Sequence, residues 1–305
     1  MELDFVAWLE ERLPASPAGV IGVGDDAALI DLRQSQMVVT TDLLIDGVHF
    51  SWAEHAPERI GRKSLAASLS DLAAMAAQPV AAVVSLAIPR GDEASLAAAK
   101  MLTEGMLPLA ERFGCPIVGG DTNTGPGPLT ISVTAFGKPT EHGVLRRSDA
   151  RPGHKVLVTG TLGGSILGKH LDFTPRVEES LLLKSSYELG AGMDVTDGLA
   201  IDLGRLTKSS GVGAVIEKHN VPVSDDARTL ANETSRDPLE HALSDGEDFE
   251  LLLTAEPGVA AEILQEQPLG CAVTEIGEVV DAPGLWLRDN TGATEPLEPL
   301  GYHHH

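Results

Sequence analysis

A chain of 305 residues exceeds the roughly 250–300 residues at which a single hydrophobic core stops growing, so two domains are expected. Acidic residues outnumber basic ones 45 to 22, for a formal charge of -23, and with no basic stretch this excludes nucleic acid and anionic membrane as partners. Two cysteines exclude a disulfide framework, no apolar run reaches the ~18 residues of a membrane span, and the acidic amphipathic start, residues 1–13, lacks the charge and apolar block of a signal peptide, so a cytoplasmic enzyme is expected.

After a helix at the start, Gly22-Val23-Gly24 leads into Asp25 and Asp26, and 27–30 and 37–41 read as short strands. An alanine-rich stretch, 58–77, has helical periodicity and carries Lys63, Ser70 and Asp71, with Pro79 to end it. Residues 81–88 form an apolar strand and 92–113 a second long helix that Asp92 is placed to cap; 116–118 is a strand ending at Gly119-Gly120-Asp121, and 129–137 alternates as another. The polar, turn-rich stretch 146–153 marks a boundary, giving domains 1–147 and 148–305. The second domain reads as strand 155–159, helix start 163–171, helix 177–189, strand 191–195, helix 199–210, strands 213–217 and 250–254, helix 257–267 and strand 272–280. This alternation predicts an α/β class with two halves.

Aspartates recur beside glycine or a small hydroxyl residue at segment ends: Gly24-Asp25-Asp26, Thr40-Thr41-Asp42, Ser70-Asp71, Gly119-Gly120-Asp121, Asp194-Val195-Thr196-Asp197-Gly198 and Gly246-Glu247-Asp248. Any one of them suits a turn or helix cap. As a set they exceed what capping needs, and clustered carboxylates repel unless cations lie between them. Hard cations such as Mg²⁺ take carboxylate and phosphate oxygens, so the set predicts metal-assisted phosphate chemistry. Gly119-Gly120 and Gly198, before the helix from Leu199, would let backbone approach a phosphate. The segment from Gly163 to His170 nearly spells a P-loop, but His170 stands where a Mg²⁺-binding hydroxyl belongs, and it reads instead as a helix start. His49 could carry a proton, bind substrate or sit in the core, while Arg146 and Arg147 would cover a domain joint or clamp a phosphate. The terminal histidines 303–305 are a trimmed tag or native sequence, with no metal role expected.

In this order, and nearly end to end, the motifs from Gly22 to Ala28, Asp42 to Phe50, Ser70 to Met75, Gly119 to Thr122, Asp194 to Leu199, Gly246 to Leu251 and Gly301 to His304 resemble the thiamine-monophosphate kinase family. That family falls in the aminoimidazole ribonucleotide synthetase-like superfamily, ATP-dependent enzymes without a P-loop. The resemblance implies a two-domain fold with a C-terminal α/β sandwich domain, and an N-terminal domain that completes a β-barrel in a homodimer. It implies transfer of the ATP γ-phosphate to thiamine monophosphate with several Mg²⁺ ions. Position by position, Asp26, Thr41, Asp42, Asp71, Asp121, Asp194 and Asp197 would be metal ligands. Gly120, Asp121, Arg147 and Thr196 would contact ATP, and His49, Glu247 and Tyr302 the thiamine substrate. Thr196 replaces the usual serine, Phe249 a common tyrosine, and Ala76 the glycine that usually follows the methionine. Rival readings are a sister enzyme such as selenophosphate synthetase, although no cysteine precedes Cys115, a metal-dependent phosphatase, or a non-catalytic cation-binding module.

Overall fold

The computed structural model describes residues 25–32, 35–90, 93–298 and 300–302. The expected helix over 1–13, Gly22 to Gly24, the Asp92 cap and the histidines 303–305 lie outside the described residues.

The first half builds a five-stranded sheet from β1 (Ala28–Asp31), β2 (Gln36–Ile45), β3 (Ala77–Pro89), β4 (Ile117–Gly125) and β5 (Thr130–Pro139), in the order β1-β2-β5-β3-β4. Only the β3–β4 pairing is parallel. Alternation decides its faces: Val38, Thr40 and Leu44 of β2 and Ile131, Val133 and Ala135 of β5 are buried, while Thr41 and Leu43 are exposed between them. The buried face carries α1 (Pro57–Ala74), whose Ile60, Leu65, Leu69 and Leu72 are fully enclosed. Helix α2 (Glu93–Arg112) crosses α1 so closely that a Cβ on Gly105 would lie 1.9 Å from the Glu58 carbonyl oxygen, and one on Gly61 would lie 1.9 Å from that of Leu102. Glycine at both points lets the helix backbones touch. Among the described residues this sheet is open, with β1 and β4 as its edges and no closed barrel.

The second half is a seven-stranded sheet of β6 (Lys155–Thr159), β7 (Leu189–Asp194), β8 (Gly213–Glu217), β9 (Leu251–Ala255), β10 (Val273–Val280), β11 (Gly284–Arg288) and β12 (Thr294–Pro296), ordered β12-β11-β8-β10-β6-β9-β7. It is covered on both faces. Val156 and Val158 enter one core with Leu203 and Leu206 of α5 (Leu199–Ser210), whereas Leu157, Leu251 and Leu253 join the core beneath α1. Two-sided burial is why β6 and β9 read as continuous apolar runs. The remaining helices are the short α3 (Lys169–Asp172), α4 (Val177–Ser186), α6 (Asp225–Thr234), α7 (Pro238–Ser244) and α8 (Pro257–Glu266).

Several boundaries differ from the sequence reading. Helix α1 stops at Ala74 because Ala76 turns left-handed, with φ of 50°, and β3 then starts at Ala77. Pro79 interrupts a strand at a register shift, where a missing N–H is tolerated, and does not end the helix. Strand β2 continues to Ile45 and β4 to Gly125, so Asp42 and Asp121 lie within strands and not at their ends.

Candidate functional site

Three acids from distant segments converge beside α1. Asp26 lies just before β1, Asp71 in the last turn of α1, and Asp194 ends β7, which packs on that helix. One carboxylate oxygen from each lies within 4.8 Å of those of the other two. Asp42 of β2 stands close enough for its charge to act on Asp71. Neighbouring hydroxyls orient the group: Thr40 donates to Asp71, Ser68 to Asp42 (2.7 Å) and Ser70 to Asp194 (2.5 Å). Arg147 forks onto Asp26, its Nε 2.8 Å from Oδ2 and its Nη2 2.6 Å from Oδ1. Burial, then the charges of Asp42, Asp194 and Asp26, holds the Asp71 carboxyl well above the usual carboxylate range. Burial and Asp26 do the same to Asp194, and burial and Asp26 push Asp25 up to about 6. One guanidinium does not balance this many acids. An all-oxygen donor set with surplus negative charge fits a hard divalent cation such as Mg²⁺.

The other expected ligands are not in this cluster, although Asp197 lines the same cleft as Asp42 and Asp71. Asp197 is ion-paired to Arg205 (2.5 Å). Thr41 points to the open face of the sheet, where its hydroxyl meets that of Thr134 at 2.9 Å. Asp121 lies in register with Ser85 and hence Ser132 and Leu43, a row on that same open face, and accepts hydrogen bonds from the Thr122 amide and the Asn123 Nδ2, each 2.9 Å. At Gly120 a Cβ would lie 1.8 Å from the Val84 carbonyl oxygen, so glycine there serves the approach of β4 to β3.

A cleft of ≈ 510 Å³ opens from Asp42 and Asp71 toward the second half. His49, Lys63, Thr196, Glu247 and Tyr302 line it. His49 is fixed by the Ile45 amide donating to its Nδ1 at 3.1 Å. Thr196 and Asp197 are held from behind by Asp202, whose Oδ2 accepts both their amides at 2.8 and 2.9 Å. The Thr196 carbonyl in turn accepts the Glu247 amide at 2.6 Å, and the Tyr302 amide donates to the Asp197 carbonyl at 3.0 Å. The cleft wall is thus a stack of three segments locked backbone to backbone. Burial alone would raise Glu247, but the His170 hydrogen bond and the Lys63 charge outweigh it and hold that carboxyl below its ordinary value. For Lys63 burial wins and lowers the ammonium. The difference follows exposure, since the lysine side chain is 1% exposed and the glutamate 32%.

Comparison with known proteins bears on this arrangement. Residues 24–138 match AIR synthase related protein, N-terminal domain, and residues 154–290 match AIR synthase related protein, C-terminal domain. The thiamine-monophosphate kinase of Rhodopirellula baltica is 42% identical over 312 residues, covering 100% of this chain and 97% of that protein. The chain belongs to the thiamine-monophosphate kinase family. Among solved structures, AaThiL complexed with AMPPCP and TMP superposes with a TM-score of 0.83 at 27% identity, covering 100% of this chain and 96% of that one. Thiamine-monophosphate kinase from Stenotrophomonas maltophilia does so with a TM-score of 0.73 at 32% identity, covering 93% and 95%.

Within this thiamine-monophosphate kinase fold the near-P-loop has a structural task. Gly163 donates its amide to the Asp248 carboxylate (2.9 and 3.0 Å), Gly164 donates to Asp245 (3.0 Å), and Lys169 pairs with Glu250 (2.9 Å). Carboxylates occupy the places a phosphate would need. The Gly-Glu-Asp-Phe-Glu segment therefore divides its acids: Glu247 faces the cleft, Asp248 ties down the glycine turn, and Glu250 takes Lys169 and Arg176. Sequence reasoning gave no role to Thr40, Ser68, Ser70, Lys63, Asp202 or Arg205. Lys63 alone left a usable sign, because Lys63, Ala67 and Asp71 recur every four residues and so share one face of α1.

Proposed function

We propose that the protein transfers the γ-phosphoryl group of ATP to thiamine monophosphate, releasing ADP and thiamine diphosphate. The observation that carries this reading is the convergence of Asp26, Asp71 and Asp194, with Asp71 and its neighbour Asp42 lining a cleft that also presents hydrogen-bonding side chains. Mg²⁺ ions held by these acids would supply the positive charge that lets two phosphate-bearing molecules approach. A phosphate oxygen of thiamine monophosphate forms the new bond to the γ-phosphorus while the bond to the ADP oxygen breaks. No enzyme nucleophile is required, and the protein's share is positioning.

In this reading Asp26, Asp42, Asp71 and Asp194 hold metal, and the geometry supports them best. Thr41, Asp121 and Asp197 keep that assignment from the family pattern alone. Arg147, already a bidentate anion clamp on Asp26, is suited to nucleotide phosphate, with Gly120, Asp121 and Thr196. His49, Glu247 and Tyr302 meet the thiamine substrate at the cleft wall. The division at 147/148 falls in the short turn Arg147–Asp149 between the two sheets. A homodimer fits the N-terminal sheet, which has one open face carrying Thr41, exposed Leu43, Ser132 and Thr134, and an exposed edge along β4. A second copy laid on that face would close the barrel that one chain leaves open. No helix among the described residues is long and apolar enough to cross a membrane, in keeping with cytoplasmic placement.

The test is direct. Incubation with ATP, Mg²⁺ and thiamine monophosphate should yield thiamine diphosphate and ADP in equal amounts; ADP with free phosphate and no thiamine diphosphate would sink the kinase reading in favour of hydrolysis.

A further inference from the structure

A lysine is almost never fully enclosed unless it is paired, and Lys63 is enclosed in the wall of the cleft itself. Its ammonium donates to two oxygens, the His49 carbonyl at 2.6 Å and the Glu247 Oε1 at 2.5 Å, and lies 3.0 Å from His170 Nδ1. Both of those oxygens belong to residues assigned above to the thiamine substrate, and they come from segments almost 200 positions apart in sequence. We propose that Lys63 is the positioning residue for the organic end of the substrate, holding Glu247 and the His49 turn in one fixed geometry, with His170 as its second brace on the carboxylate. This rests on the kinase reading and deepens it.

Three observations favour this role over that of a plain core ion pair. The Glu247 backbone is left-handed, with φ of 53°, a conformation a non-glycine residue keeps only when its surroundings impose it. Its other oxygen, Oε2, lies 3.2 Å from His170 Nδ1, so the chain's own groups anchor both oxygens while a third of the side chain still faces the cleft. Finally, Lys63 and Asp71 sit on one face of α1 eight residues apart, about 12 Å along the axis at ~1.5 Å per residue. One rigid helix therefore sets the distance between the metal-binding acids and the ring-binding end. A carboxylate braced on both oxygens is preorganised to accept N–H groups of a heterocycle.

Three variants test it: Lys63→Met, Glu247→Gln and the pair together, each checked for native near-ultraviolet circular dichroism. Lys63→Met should raise KM for thiamine monophosphate by at least about tenfold, and weaken its calorimetric binding alike, while KM for ATP stays within about twofold. The double variant should be no worse than the worse single one, since both remove the same interaction. A parallel rise in KM for ATP, or multiplying effects in the double variant, overturns the proposal while leaving the kinase reading intact. Wild-type protein that neither binds nor turns over thiamine monophosphate removes both. Should Lys63→Met fail to fold, Glu247→Gln against His170→Gln reads the same brace from the cleft side, and multiplying effects there overturn the proposal equally.

Discussion

Taking one charge out of the carboxylate group should separate turnover from stability. Asp71 is buried among Asp26, Asp42 and Asp194, and its ionised form is disfavoured by all of them. Asp71→Asn should therefore raise the melting temperature in EDTA while lowering kcat by about 100-fold or more, the scale of losing one electrostatic contact to a reacting phosphate. Near-normal turnover at limiting Mg²⁺ would remove Asp71 from the metal set. Buried acids outside that group add a pH dependence. Burial, then Asp197, pushes Asp202 up to about 7, and burial pushes Asp248 up to about 6. A carboxyl raised in the folded state binds its proton more tightly there than in the unfolded chain, so stability falls as pH rises from the unfolded value near 3.8 through the folded one. The urea midpoint in EDTA should thus decline between about pH 4 and 7, and Mg²⁺ should flatten the decline by favouring the ionised acids at the site. A flat profile in EDTA would contradict it. The acids themselves were legible in the sequence because they sit beside glycine and hydroxyl residues. Their hydroxyl partners were not, since Thr40, Ser68 and Ser70 look like any surface hydroxyl until the strand and helix that carry them are packed together.

At the scale of elements, the α1–α2 crossing decides how the site helix is held. Alanine normally improves a helix interior over glycine by roughly 0.5–1 kcal/mol. At Gly105 the new methyl would meet the Glu58 carbonyl oxygen at 1.9 Å, and such backbone overpacking costs about 1–3 kcal/mol. The clash wins, so Gly105→Ala should lower the denaturant midpoint, whereas Gly258→Ala, in the first turn of α8 with nothing near its Cβ, should not. Periodicity revealed α1 and the core strands. It overshot α1 into the Ala-rich 75–77, because composition does not announce the left-handed turn at Ala76. It missed α6 and α7, whose residues 225–244 are mostly polar or charged and bury only Ala227, His241, Ala242 and Leu243. Strands β11 and β12 were missed because β12 is only three exposed residues and β11, which buries Leu287 alone, shows no clear alternation.

For the whole molecule, two expectations follow from surfaces and ligands. If the open face of the N-terminal sheet is shared between copies, sedimentation should find a species of twice 32.0 kDa, and Leu43→Lys should shift it toward the monomer without unfolding either half. A wild-type monomer at micromolar concentration would refute the shared face. Mg²⁺ with ATP at about 100 times the dissociation constant should stabilise the fold by about 2.7 kcal/mol, seen as a higher melting temperature, while ATP in EDTA should give much less. The two-domain α/β plan was legible in chain length and in the rhythm of its segments. The open sheet was not, because register and face depend on partners far away in sequence.

Arg147 gripping Asp26 is, in effect, a spare cation built into the chain. A site that relied wholly on imported ions would lose its shape whenever they left. Here the resident guanidinium keeps part of the charge balanced, so scarcity of magnesium should idle the molecule without denaturing it. On the proposed reading, returning ions would take over Asp26 and leave the arginine to exchange that carboxylate for a nucleotide phosphate.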